Sequence, residues 1–311
     1  MKQLNTAIPS FLLHCKFEKG LSENTLKFYT IDLKQFQAYL MQINHSNYLQ
    51  EIDKEVIRTY IQTISGFKPK TIKRKLASLK VLFNFLEFED VISANPFRKL
   101  RIKLKEPKML PKAMNIQEIK KIFRSVYSLE NKLGSSDLVG LRDIAIVELL
   151  FATGLRVSEL VNLNVQDIDL HAGTIKVKGK GNKERLLHIC HKEAISALRN
   201  YQNCIIDKTK IQTDYFFINR IGCRLSTQSV RGLVKKYKNY AGIDKRITPH
   251  MFRHTFATLL LENDVDIKYI QTFLGHSSIL TTQIYTQVNR TQQRKILTNR
   301  HPRRDFSMDA S

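Results

Sequence analysis

What this chain of 311 residues lacks narrows its function before any motif is read. No run approaches the roughly 18 apolar residues of a membrane span, and the polar start Met1-Lys2-Gln3-Leu4-Asn5 has no secretory-signal pattern. No membrane association is expected. Cysteine is scarce: Cys15, Cys190, Cys204 and Cys223 stand far apart with no C-x-x-C pair. That argues against a zinc module or a disulfide framework and fits a reducing cytoplasm. Carboxylates are few as well, 28 acidic against 51 basic side chains. The D-x-D at Asp167-Ile168-Asp169 lies between a helix and a hairpin and reads as a turn former, not a metal site. Gly179-Lys180-Gly181 lacks both the third glycine of a dinucleotide motif and P-loop spacing. Neither a metal nor a cofactor is expected.

The acid deficit leaves a net charge of +23, which favours a polyanionic partner. Charge is not gathered on one amphipathic segment, so nucleic acid fits better than a lipid surface. Residues 1–105 hold 18 basic and 9 acidic side chains, and residues 106–311 hold 33 and 19. Both halves therefore face the anion.

Length alone gives a prior of two domains. In the first, Ser22 precedes Leu26, Tyr29, Leu33, Phe36 and Leu40 at helical spacing. A second helix over 71–87 puts Ile72, Leu76, Leu79, Phe83 and Leu86 on one face. Lys73, Arg74, Lys75 and Lys80 fall on its other sides, a solvated basic face and a candidate for DNA contact. Strand patterns are missing, so residues 1–105 are expected to form a small helical bundle. A basic, proline-marked stretch follows, from Asn95-Pro96 to Pro111. It places a basic linker at 106–112, and Arg101 and Lys103 just before it are further candidates for phosphate contact.

Beyond the linker, helices are expected over 115–128 and over 141–161, the latter interrupted near Gly154. Alternation in 174–178 and 184–189, around the turn formers 179–183, predicts a β-hairpin. Thr248-Pro249 opens another helix, Thr as N-cap and Pro at the first position. The fold class expected is mainly α with a small β-sheet or hairpin, α+β.

Four places could carry chemistry. His250 and Arg253 share a helix face near an N-terminus that favours anions, a plausible phosphate cradle. Arg156 follows the glycine break, His276 stands at a turn after Gly275, and Tyr285 lies nine residues further on. Taken singly, each has a plain structural reading: a helix-surface pair, a cap, one packing tyrosine among eleven.

Taken together, they fall into five blocks: residues 152–160, the hairpin 179–185, residues 248–258, Leu274-Gly275-His276-Ser277, and Thr281 to Thr286. In this order and at these separations the sequence resembles the tyrosine recombinase, or phage integrase, family, and within it the compact Xer-type recombinases. The resemblance implies a helical, SAM-like core-binding domain over 1–105, a catalytic domain over 113–288 and a basic tail over 289–311. It implies Tyr285 as the nucleophile that forms a 3′-phosphotyrosyl link, with neither ATP nor metal. Arg156 and Arg253 match the arginines that hold the phosphate, and Lys180 matches the lysine that protonates the leaving oxygen. His250 and His276 match the remaining positions, and Glu159 a supporting carboxylate. The other histidines keep structural roles.

The partner implied is a duplex DNA recombination site, engaged by a homotetramer on two duplexes or a heterotetramer with a related recombinase. The expected place is a bacterial cytoplasm, at the nucleoid, in dimer resolution or mobile-element integration. Two other readings stay open at this stage: a DNA-binding protein without chemistry, and a type IB topoisomerase-like enzyme.

Overall fold

Ser22 does cap a helix, its hydroxyl accepting from the Thr25 amide, and the chain from Glu23 to Gln42 coils as its apolar spacing dictates. The computed structural model describes residues 2–102, 113–133, 137–179, 184–208, 213–275 and 297–301. They divide into two compact units, over 1–109 and 110–311.

The first unit is helical: α1 (Leu4–Phe17), α2 (Glu23–Gln42), α3 (Lys54–Thr63) and α4 (Pro69–Phe88). Its core joins Phe11 of α1, Leu33 and Phe36 of α2, Ile57 and Tyr60 of α3, and Leu79 and Phe83 of α4. Pro69 lies in the first turn of α4, where its missing N–H costs nothing.

The basic run on α4 needs a correction. Lys73 and Lys80 are exposed, but Arg74 is half-buried and Lys75 is only 4% exposed. Lys75 therefore does not lie on a solvated face. Position 75 is three residues from Ile72 and four from Leu79, inside the wide stripe that a core-facing helix turns inward. A charge there needs a partner, and α2 supplies one. Asp32, 1% exposed, pairs with Arg74, accepts from the Ser78 hydroxyl at 2.8 Å, and lies 3.9 Å from the Lys75 ammonium. Lys75 also donates to Gln35. Burial pushes the Lys75 ammonium down from its usual value, with Asp32 pulling the other way.

The second unit is built on α6 (Leu138–Thr153), whose residues are buried on nearly every side. It packs against α5 (Ile116–Leu133), α8 (Lys192–Lys208) and α10 (Pro249–Glu262). The interruption expected at Gly154 is real. Gly154 ends α6 in the left-handed conformation, φ 62°, and α7 (Val157–Val161) starts afresh.

A three-stranded antiparallel sheet follows, in the order β1 (Ile168–Asp169), β2 (Thr174–Lys178), β3 (Glu184–His188). The hairpin has the expected strands, with Ile175 opposite Leu187 and Val177 opposite Arg185. The D-x-D serves turns: Asp167 accepts from the Asn164 amide, and Asp169 from those of His171 and Ala172. The remaining helices are α9 (Thr227–Tyr240), α10 and α11 (Ile267–Leu274). Residues 297–301 pack onto this unit, with Leu297 in a cluster with Phe256 and Leu274, and His301 bonded to the Ala152 carbonyl at 2.9 Å. No helix among the described residues is long and apolar enough to cross a membrane.

Candidate active site

A helix leaves its last carbonyls without intrahelical partners. In α11 these are occupied by arginines from three other elements. Phe273 O accepts from Arg185 Nε of β3 at 3.2 Å, and Leu274 O accepts from Arg253 Nη2 of α10 at 2.5 Å. Gly275 O accepts from Arg156 Nη2, at the start of α7, at 3.1 Å. Three parts of the sequence, spread over nearly a hundred residues, thus converge on one helix end.

Each arginine has a second anchor. Arg253, 6% exposed, also donates through Nη1 to Gly154 O at 2.9 Å. Arg156 is the N-cap residue of α7, and Glu159, three residues on, closes a capping box with it. Glu159 Oε2 accepts from the Arg156 amide at 2.9 Å and Oε1 from Arg156 Nη1 at 2.7 Å. Arg185 grips the same carboxylate with both nitrogens, Nη1 to Oε1 at 2.9 Å and Nη2 to Oε2 at 2.8 Å.

The electrostatics follow from the count. Among the described residues, three guanidiniums face one carboxylate in this cluster, an excess of two positive charges in a half-dry site. Burial first, then the charge of Arg156, pulls the Arg253 guanidinium down to about 10, still protonated at neutral pH. Burial by itself would raise the Glu159 carboxyl. The hydrogen bonds from Arg185 and Arg156 and the charge of Arg185 outweigh it and hold the group below its ordinary value. With a third of its side chain exposed, Arg156 is the cation most open to solvent. A doubly positive, preorganised cluster of planar donors suits a tetrahedral oxyanion.

Of the residues singled out in the sequence, Arg156, Glu159 and Arg253 are brought together. His250 is exposed in the first turn of α10, one turn before Arg253. Lys180, His276 and Tyr285 lie outside the described residues, as does Lys103. The described neighbours of two of them do touch the cluster. Gly275, just before His276, holds Arg156, and β3, just after the 180–183 stretch, carries Arg185. Lys73, Arg74, Lys75 and Arg101 belong to the first unit. Arg185 was part of a motif block but had no role of its own in the sequence reading. The signal was there: in β3 it lies on the side of Leu187, opposite buried Val177, and an inward arginine demands a counter-charge.

Residues 113–292 match the profile of the phage integrase family, and residues 8–90 match that of the phage integrase N-terminal SAM-like domain. The chain belongs to the phage integrase family. This tyrosine recombinase is 45% identical over 309 residues to a tyrosine recombinase of Agathobacter rectalis, covering 98% of this chain and 99% of that one. It is 36% identical to tyrosine recombinase XerD of Listeria monocytogenes, over 96% of this chain and 100% of the other. Among solved structures it resembles XerH site-specific recombinase bound to difH substrate in a pre-cleavage complex. The TM-score is 0.69 at 25% identity, over 93% of this chain and 83% of that one. The two-domain recombinase fold, mainly helical with a small antiparallel sheet, is the one the recombinase motifs imply.

Proposed function

We propose that this recombinase cuts and rejoins duplex DNA at a defined site through a 3′-phosphotyrosyl intermediate formed by Tyr285. The observation that carries this reading is the arginine cluster at the end of α11, with two positive charges in excess, built by residues of the family's motif blocks.

Tyr285 Oη gives its proton to an acid/base histidine, His250 or His276, and attacks a backbone phosphorus as the bond to the 5′-oxygen breaks. Lys180 protonates that oxygen, leaving a 5′-hydroxyl. Attack by a 5′-hydroxyl from another strand, its proton taken by Lys180, then displaces the tyrosine, which takes its proton back from the histidine, and restores a phosphodiester. One phosphotyrosyl bond replaces one phosphodiester bond, so no ATP is consumed. Arg156 and Arg253 hold the non-bridging oxygens, whose charge grows in the transition state. Donors fixed in advance by backbone carbonyls need no reorganisation when that charge develops. His250 and His276 act as acid/base and phosphate-bonding groups, and Glu159 orients Arg156. With arginines supplying the positive charge, the reaction needs no metal.

The first unit binds the DNA flanking the cut, with Lys73, Arg74, Arg101 and Lys103 as candidate phosphate contacts. Lys75 leaves that set because it is buried against Asp32. Exchange between two duplexes calls for a tetramer, of this chain alone or with a related recombinase. The likeness to XerH, solved with its difH substrate, supports a defined DNA site as the target, used for dimer resolution or for mobile-element integration in a bacterial cytoplasm.

The test uses a duplex recovered by binding selection from a random pool, nicked beside the cut site so that cleavage cannot reverse. The wild type should form a covalent adduct stable to denaturation. Tyr285→Phe should bind the same duplex and form none. An adduct that persists in this variant rejects the nucleophile. Binding with no adduct in either protein favours a non-catalytic DNA-binding role.

A further inference from the structure

Arg185 makes three hydrogen bonds and packs against Gly275, a set that no other side chain in the cluster could replace. Its fork takes both oxygens of Glu159, and its Nε takes the Phe273 carbonyl. Its flat face lies against Gly275. A Cβ on that glycine would come within 3.0 Å of Arg185 Nη1 and 3.2 Å of its Cδ and Cζ. The side chain is therefore a wedge between α7 and the end of α11, rooted in β3. One group of the proposed mechanism is held by its neighbours, and two more lie close by in the sequence. Arg156 is held by Glu159 and Gly275, His276 follows Gly275, and Lys180 belongs to the loop that joins β2 to β3.

We propose that Arg185 is a positioning residue of the recombinase reaction. Acting through Glu159, it fixes the Arg156 guanidinium and ties strand β3 to the end of α11 at Phe273 and Gly275. The inference rests on the recombinase reading above. Glu159 explains the need. With Arg156 alone it would have one cation, shared between solvent and substrate, and a side chain free to swing. A second, bidentate arginine locks the carboxylate's plane, and with it the direction in which Arg156 points. Arg185 spends both terminal nitrogens on the two oxygens of Glu159, so its charge is matched there, whereas Arg156 gives that carboxylate one terminal nitrogen and Arg253 gives its own to backbone carbonyls. Lysine cannot take its place, because an ammonium cannot bond both carboxylate oxygens in plane. A misplacement of about 1 Å at a reacting centre can cost about 100-fold in rate.

The experiment has two arms. In the first, the Glu159 carboxyl is titrated by carbon NMR in the wild type and in Arg185→Gln. Its midpoint, low in the wild type, should rise in the variant. In the second, single-turnover cleavage of the nicked duplex is measured for Arg185→Gln, Glu159→Gln and the double variant. Each single change should slow cleavage by about 10- to 100-fold without weakening DNA binding. The double variant should be no slower than Glu159→Gln alone, because the two act in series. Should Arg185→Gln fail to fold, Arg185→Lys, with its charge and stem kept, should still shift the midpoint and slow the reaction. An unmoved Glu159 midpoint, or losses that multiply in the double variant, overturns the proposal. A wild type that makes no adduct counts against the recombinase reading instead, and the titration still decides whether Arg185 governs Glu159.

Discussion

Gly154 shows how much a single missing side chain can hold in place. It sits at φ 62°, where a Cβ costs about 1–2 kcal/mol. That Cβ would also fall 2.8 Å from Phe256 Cδ1 and 3.0 Å from Leu274 Cδ2. Overpacking of this kind costs about 1–3 kcal/mol. Gly154→Ala is therefore expected to destabilise the protein by about 2–5 kcal/mol, read as a lower midpoint in urea unfolding. Because the Gly154 carbonyl anchors Arg253, cleavage by the folded fraction should fall too. The glycine was legible in the sequence as a break between helices. The reason that only glycine fits was not, since Phe256 and Leu274 arrive from a hundred residues away. Arg156 and Arg253 stood out for the same local reasons, a glycine break and a helix N-terminus. Their common anchor on α11 depends on long-range packing that periodicity cannot encode.

At the scale of elements, the long amphipathic helices and the hairpin were readable because their patterns are local. α2, α4, β2 and β3 lie where the spacing puts them. α1 and α3 were not singled out. Pro9 sits inside α1 and reads as a break, and α3 is short, with only Ile57 and Tyr60 fully buried. β1 is two residues long and exists only because β2 offers an edge. The burial of Lys75 was hidden because a lysine on the inner stripe becomes intelligible only with Asp32 on another helix. That pair gives a prediction at this scale. Asp32→Asn takes the counter-charge from Arg74 and Lys75 together and leaves the buried ammonium with Gln35, at a cost of about 3–5 kcal/mol in urea unfolding of the full chain. Replacing both partners, Asp32→Leu with Lys75→Met, should recover most of that loss, as apolar replacements of buried ion pairs often do. A double variant as unstable as the single one would mean that the ion pair is not the source of the loss.

For the whole molecule, the relevant quantity is the net charge of +23, shared by both units. If DNA is bound by neutralising phosphates, log affinity should fall linearly with log salt, by about 0.9 for each phosphate contacted. Lys73→Gln, at an exposed position, should lower that slope by about one contact. Lys75→Gln should leave the slope unchanged and lower the unfolding midpoint. Equal slopes for the wild type and Lys73→Gln would remove Lys73 from the contact set. The charge was plain in the sequence, and the family motifs narrowed it to a phosphate. What the sequence could not show is how that charge is kept available. Apart from the one carboxylate, Glu159, the arginines at the end of α11 are held by backbone carbonyls, which carry only partial charge. More carboxylates there would have been resident competitors, each to be displaced before the substrate could bind. Carbonyl anchors aim the guanidiniums without neutralising them, so on the proposed mechanism an incoming phosphate would meet cations that are oriented and still in want of an anion.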